Sequence, residues 1–328
     1  MLKRISLALL LLAFINITKS NAQTCSCAGA PLISSQTTGA SSAGNLLLGI
    51  TYEYHDISAL YSGSTRLVDE TVTRSTQSVL FEINYGFTDR LSLSGTFSYV
   101  EKDRTTGLQT PSGGTTVNTN GLGDGVFMLR YTIHQQTIWN QYHVAIGAGG
   151  KAPLGTTSLQ RNGFSMNADM QPGTGSWDGV LWSYFSTSFL PYTTLNLFLN
   201  TSYQRTGAND RFADGDSYMF GNALVSSLGI TNDLMGNLSY LISLRYRSTT
   251  SDQLNGNNMP NTGGRWLSID PSLNVPVSDT ISARISGRIP VYQNLNGTQP
   301  TTSYAISGSF FFNFNSSKND NFNYGRPN

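Results

Sequence analysis

Apolar and polar residues alternate along most of this chain. In "LLLGITYEY" the alternation sets Leu46, Leu48, Ile50, Tyr52 and Tyr54 on one side, with Leu47, Gly49, Thr51 and Glu53 on the other. "SVLFEINYGF" separates Val79, Phe81, Ile83, Tyr85 and Phe87 from Leu80, Glu82, Asn84 and Gly86. "LSLSGTFSY", "ISARISGRIPV" and "SYAISGSFFFNF" repeat the pattern, with serines, threonines and arginines on the second side. A period of two is the mark of a strand whose faces meet different surroundings. The segments with this period are 44–54, 76–87, 91–100, 122–133, 141–151, 179–189, 194–204, 217–230, 234–247, 265–275, 280–291 and 302–314. In the sixth, "GVLWSYFSTSF", Trp182 and Tyr184 compete with Leu181 and Phe185 for the apolar side, so its register stays open.

These segments run to about the length of a membrane-crossing strand, ~9–11 residues, against ~5–6 for an average soluble strand. Their connections alternate. Short gaps at 88–90, 134–140, 190–193, 231–233 and 276–279 carry turn residues such as "TDR", "TND" and "PVSD", and much longer gaps lie between them. Short turns at one end and long loops at the other are the pattern of an outer-membrane barrel. The expected fold is all-β, a transmembrane antiparallel barrel of about twelve strands at 44–314. A soluble barrel or sandwich would put the polar face outside and would not require alternating connections.

Composition agrees. Only 12% of the 328 residues are charged, about half the usual ~25%. Lys3 and Arg4, the apolar run "ISLALLLLAFINI" and "SNA" before Gln23 read as a signal peptide over 1–22. Without Lys3, Arg4 and Lys19, 17 basic residues face 19 acidic ones, a balance that points away from nucleic acid. No later apolar run is long enough for a membrane helix.

"GLGDGVFMLRY" raises a phosphate-loop alternative through Gly121, Gly123 and Gly125. Such a loop needs a strand before the glycines and a helix after. Here a loop precedes and a strand follows, with Phe127, Leu129, Tyr131 and Ile133 alternating against Val126, Met128, Arg130 and Thr132. The glycines therefore read as a bulge or rim bend.

The same stretch, followed by "YHVAIGAGGKAPLGT", resembles the signature of an outer-membrane transporter family, the phenol meta-pathway degradation proteins, which is similar to the FadL type of hydrophobic-compound channel. The matching positions are Gly121, Gly123, Asp124, Arg130, Tyr131, Lys151, Pro153 and Gly155. The resemblance implies a barrel and passage of small hydrophobic or aromatic compounds, and it supplies no catalytic residue. Barrels of this kind often end on an aromatic residue that assembly machinery reads. Here the polar tail 315–328, "NSSKNDNFNYGRPN", follows Phe314.

Eight charges are expected to face the lumen: Glu53, Glu82, Arg130, Lys151, Arg245, Asp270, Arg284 and Arg288. Unpaired, they would favour anions, since rings of charge set pore selectivity. Paired, they would fill a narrow barrel and close it. Arg245, Arg284 and Arg288 are the best candidates for solute contact. Loop 152–178 either folds inward to constrict the pore or caps it from outside, as long loops without structure of their own are commonly functional.

An enzymatic barrel would need a nucleophile and base in reach of one another. His55 falls at a rim, His134 in a short turn, and His143 faces inward with no nearby serine, so catalysis is not expected. Segment 23–43, expected to be a flexible tether, holds Cys25 and Cys27. A bridge between them would be small and strained, a soft metal such as Cu(I) is a second option, and the segment could fold inward as a plug. No other metal and no cofactor is expected. The reading is therefore a bacterial outer-membrane channel for passive passage of a small hydrophobic or anionic solute. Its expected partners are outer-membrane lipid, the barrel-assembly machinery and that solute. A closed barrel with a structural or surface-binding role is the alternative.

Overall fold

A computed structural model describes residues 42–68, 71–109, 114–137, 140–189, 194–213, 215–234 and 238–315. The signal peptide, nearly all of segment 23–43 with Cys25 and Cys27, and the tail after Asn315 lie outside the described residues. Twelve strands form one closed sheet: β1 Asn45–Asp56, β2 Val72–Gly86, β3 Leu91–Thr106, β4 Gly125–His134, β5 Tyr142–Ala152, β6 Asp178–Ser188, β7 Asn196–Arg205, β8 Ala223–Asp233, β9 Ser239–Thr249, β10 Gly264–Pro276, β11 Ile281–Leu295 and β12 Tyr304–Asn315. Each pairs antiparallel with its chain neighbours. β1 closes the ring by pairing with both β2 and β12, with Leu46 opposite Tyr85 on one side and Phe314 on the other. The expected transmembrane barrel is the observed fold.

The alternation is read out directly as exposure. On β2, Phe81, Ile83 and Tyr85 are 46%, 45% and 40% exposed, while Leu80, just before them on the other face, is 1% exposed. The outward row of each strand is apolar because it meets lipid. The edges of that belt are marked by exposed tyrosines: Tyr52, Tyr99, Tyr203, Tyr246 and Tyr292 toward the long loops, and Tyr85, Tyr131 and Tyr142 toward the short turns. Amphipathic rings at both interfaces are a hallmark of membrane barrels.

The inward rows divide the lumen into two unlike halves. Met128, Ala145, Val180, Trp182, Tyr184, Phe198 and Leu241 pack into one apolar cluster. Trp182 stacks on Tyr184 at 6.0 Å between ring centroids, and Tyr184 on Phe198 at 6.5 Å. This settles the register of β6: Leu181 and Phe185 face lipid, while Trp182 and Tyr184 face in and are buried. The lumen needed filling there, since opposite Val180, Trp182 and Tyr184 the inward side of β5 offers only Gly149, Gly147 and Ala145.

Several strands differ from the periodicity. The segment expected at 217–230 begins instead at Ala223, because Asp216–Met219 leaves the barrel to pair with Ala208–Phe212 and Gln253–Leu254. The break falls at Gly221, where a Cβ would lie 1.9 Å from the Thr250 carbonyl oxygen. The strand expected at 234–247 is Ser239–Thr249. The fourth strand comes in two pieces. Thr115–Leu122 pairs with the far end of β3, and Gly125–His134 pairs with its near end. With the far ends of β2 and β3, the first piece forms an arm that rises beyond the tyrosine belt.

Trp182→Ala should cost about 3–5 kcal/mol of stability, as for other large-to-small changes in packed interiors. Urea unfolding of the refolded barrel, followed by far-ultraviolet circular dichroism, measures this. A loss under 1 kcal/mol would mean that the apolar half is not tightly packed.

Candidate functional site: the lumen and its inward loop

All eight sequence-predicted charges face the inside of the barrel, but they do not form one group. Glu53, Glu82, Arg245, Asp270, Arg284 and Arg288 come together on β1, β2 and β9–β11 around a cavity of about 60 Å3. Here Arg288 donates to Asp270 at 3.0 Å. Asp270 also accepts from Ser268 at 2.7 Å. Arg284 donates through Nε to Asn274 and lies over the Phe311 ring, 5.0 Å from its centroid. Glu53 meets His55 at 3.4 Å. Arg245 is held between attraction to Asp270 and Glu53 and repulsion from Arg288 and Arg247. A guanidinium presents several fixed donors and accepts none, so this half of the lumen offers hydrogen bonds to an acceptor-rich, negative solute.

Arg130 stands between the halves. It is buried over the Trp182 ring at 4.8 Å from the centroid. Its charge is attracted to Glu82. A desolvated cation over an aromatic face recovers part of its lost hydration.

Lys151 belongs to a different assembly, at the root of loop 153–177. Its ammonium lies 2.7 Å from Asp124 and 3.0 Å from Asp178, with all three side chains fully buried. It also donates to Thr174 Oγ1. One cation against two carboxylates leaves a negative excess, and hydrogen-bond donors offset it. Asp124 accepts from the Gly155 and Thr174 N–H groups at 3.1 and 2.9 Å. Asp178 accepts from the Gly207 N–H at 3.0 Å and from Gln204 at 2.5 Å. Buried charges persist only when compensated in this way. The glycines make room: a Cβ on Gly155 would sit 2.6 Å from Gly173 Cα, and one on Gly173 would sit 2.7 Å from Gly155 Cα. Gly123, Asp124, Lys151 and Gly155 of the sequence motif are thus the knot that ties the two ends of this loop together.

From the knot the loop enters the mouth. It forms a small hairpin, Gln160–Arg161 with Phe164–Ser165, through Asn162 and Gly163 at positive φ, as an Asn-Gly turn requires. It then dips into the buried turn Ala168–Met170. Asp169 accepts from Arg74 at 2.8 Å and from Arg104 at 2.5 Å. Lys102 donates to the carbonyls of Asp169 and Gln171 at 2.8 and 2.7 Å, and Thr119 donates to that of Met170 at 2.6 Å. The Gln171 side chain clasps Leu159 and Met166. Across the mouth, Asp252 accepts from Tyr218 at 2.7 Å and from the Gly221 N–H at 2.8 Å. Burial, helped by the charge of Asp169, nevertheless pushes the Asp252 carboxyl above its ordinary range. The loop tip is therefore fastened against the inner face of the arm, at the long-loop end of the barrel.

The periodicity missed Arg74, Lys102 and Arg104 because β2 and β3 extend past their expected limits. The signal was present in "EKDR": Glu101 and Asp103 fall on one face, Lys102 and Arg104 on the other. Arg247 was missed although it shares the parity of Arg245; it lies over the Trp266 ring at 5.4 Å. His134 ends β4 and stacks on Tyr142 at 4.2 Å, and His143 meets the edge of Tyr184 at 5.8 Å. Among the described residues, no group of three or more His, Cys, Asp or Glu could hold a metal ion.

The sequence matches no protein-family model and no curated protein. Among solved structures, the COG4313 outer membrane channel from Pseudomonas putida F1 aligns over 85% of this chain and 98% of its own, with a TM-score of 0.66 and 13% identity. The two share a fold. The NanC porin aligns over 81% of this chain and 98% of its own at a TM-score of 0.44 and 11% identity. A Pseudomonas aeruginosa FadL homologue aligns over 82% of this chain and 90% of its own at 0.41 and 10%. Both are too distant to carry an inference. The resemblance to the phenol meta-pathway proteins thus stands at the level of a channel-type barrel fold, with no family match behind its substrate.

Lys151→Met should leave Asp124 and Asp178 buried without their cation, at a cost of about 3–5 kcal/mol. Limited proteolysis should then cut within 153–177 at a protease dose that leaves the parent intact. Equal resistance would show that the knot does not hold the loop.

Proposed function

We propose that this chain is an outer-membrane channel, without enzymatic activity, that lets a small anionic solute pass along the charged half of its lumen. The observation that carries this reading is the asymmetry of the inward rows. One half is packed with apolar rings. The other surrounds a cavity with Arg245, Arg284 and Arg288 against Glu53, Glu82 and Asp270, and Arg130 and Arg247 stand close by. A positive wall in a confined space concentrates anions and sets selectivity. The same charges argue against a purely hydrophobic solute, for which stripping water from guanidinium groups would be costly. The fold shared with a solved outer-membrane channel supports the location and the class of function. Outer-membrane lipid and the barrel-assembly machinery are then its natural partners.

The second reading is a closed barrel with a structural or surface-binding role. Loop 153–177, seated in the mouth and fastened at both tip and root, favours it.

Refolded protein in a planar bilayer under a salt gradient separates the two. The channel reading expects small steady conductance with a reversal potential on the anion side. The double variant Arg284→Ala, Arg288→Ala should move that potential toward the cation side, the more so because it frees Asp270. No conductance, with loop 153–177 intact or shortened, would leave the closed barrel as the correct description.

A further inference from the structure

The charges around the lumen cavity are sorted by sign. On β9–β11, Arg245, Arg284 and Arg288 stand with a single carboxylate, Asp270. On β1 and β2, Glu53 and Glu82 face the same space. β12 runs between β11 and β1, and opposite Thr51 and Glu53 it presents only Ser309 and Ser307 to the cavity. One side of the cavity is thus positive and the other negative, across a strip of hydroxyls. The two sides feel each other: Glu53 is attracted to Arg245 and Arg288, and Arg284 to Glu82. Arg284 and Arg288 are each anchored through Nε, to Asn274 and to Asp270, which leaves the Nη pair at the end of each to serve the cavity. Arg245 lies close enough to Arg288 to be repelled by it, and like charges held together favour an anion between them. Since a single water needs about 10–15 Å3 by this measure, the cavity of about 60 Å3 has room for several waters or one small solute.

We propose that this cavity selects an acidic amino acid, with its α-carboxylate between Arg245 and Arg288, its ammonium at Glu53 and its second carboxylate at Arg284. The proposal rests on the channel reading, whose solute class it names. A cavity of two signs discriminates on both sides, because juxtaposed like charges are penalised. A plain dicarboxylate satisfies the arginines but brings a negative charge to Glu53 and Glu82. A neutral amino acid matches both sides but carries nothing for Arg284. A diamine meets the arginines with its own sign. An acidic amino acid brings two carboxylates and one ammonium, and it keeps the net negative charge of the solute proposed above. The end of a guanidinium is a two-donor fork that fits a carboxylate. A carboxylate has about four acceptor positions, so the contact of Glu53 with His55 at 3.4 Å leaves it able to receive an ammonium. The solute competes with the attraction between the two walls, which keeps its binding weak enough for release, as conduction requires.

The experiment is isothermal titration of the refolded full chain in detergent micelles with aspartate, succinate and alanine, at neutral pH and constant ionic strength. Heat-modifiable gel migration reports folding. Aspartate should bind about tenfold more tightly than either of the others, the worth of one charged hydrogen bond. Glu53→Gln should move two ligands in opposite directions. Aspartate weakens about tenfold, while succinate tightens, since the carboxylate that holds an ammonium repels a dicarboxylate. A merely structural role for Glu53 would move both the same way. Arg284→Gln should bring aspartate down to the affinity of alanine, and it decides the matter if Glu53→Gln does not fold. A folded parent that binds none of the three, or succinate or alanine as tightly as aspartate, would overturn the proposal, as would a folded Glu53→Gln variant in which aspartate is unchanged. Anion-selective conductance without a preference for aspartate would leave the channel reading standing and remove this one. A preference for aspartate without conductance would keep the site and remove the channel.

Discussion

Lipid offers no hydrogen bonds, so every backbone N–H and C=O crossing it must find a partner within the protein. A sheet meets that demand only by closing on itself, and the pairing of β1 with both β2 and β12 is the closure. The rest of the architecture follows from it. Closure fixes which residues point in, because a pleated strand has only two faces. It also fixes how much space the inward side chains must share. A twelve-strand ring lies between barrels that side chains fill completely and those that leave a wide channel. Here the two solutions coexist side by side. Trp182, Tyr184 and Phe198 fill one half, and shorter polar residues with arginines line the other.

Alternation made most of the barrel legible from sequence. "SVLFEINYGF" could be oriented because its outward residues are all large and apolar and its inward ones are mostly not. β6 could not, because its inward Trp182 and Tyr184 are as apolar as the outward Leu181 and Phe185. The information that orients it lies in the small residues of β5, a neighbour in space whose need for bulk is visible only once the strands are paired. β8 was misplaced for a related reason. Asp216–Met219 alternates as a membrane strand does, yet its partners are other loop segments.

That Glu53, Glu82, Arg245, Asp270, Arg284 and Arg288 face inward followed from parity alone. Their gathering on one wall, apart from Lys151, did not. Parity says only that a side chain faces in, while Asp124 and Asp178, which capture Lys151, lie at strand ends where periodicity stops. The seating of loop 153–177 against the arm was equally hidden. It depends on Asp169 meeting arginines nearly a hundred and about sixty-five positions away in the chain, and a list of residues does not show such meetings.

The contact between Gly155 and Gly173 has a consequence for how such a protein can change over generations. Two backbones touching with no side chain between them make a narrow neck, and what lies beyond it is joined to the barrel mainly at its tip. Residues of the loop between the two glycines can be altered in length or chemistry without re-registering a single strand. The barrel is then a conserved chassis and the loop an exchangeable part, so lineages that diverge in what they admit would be expected to differ first between these two glycines.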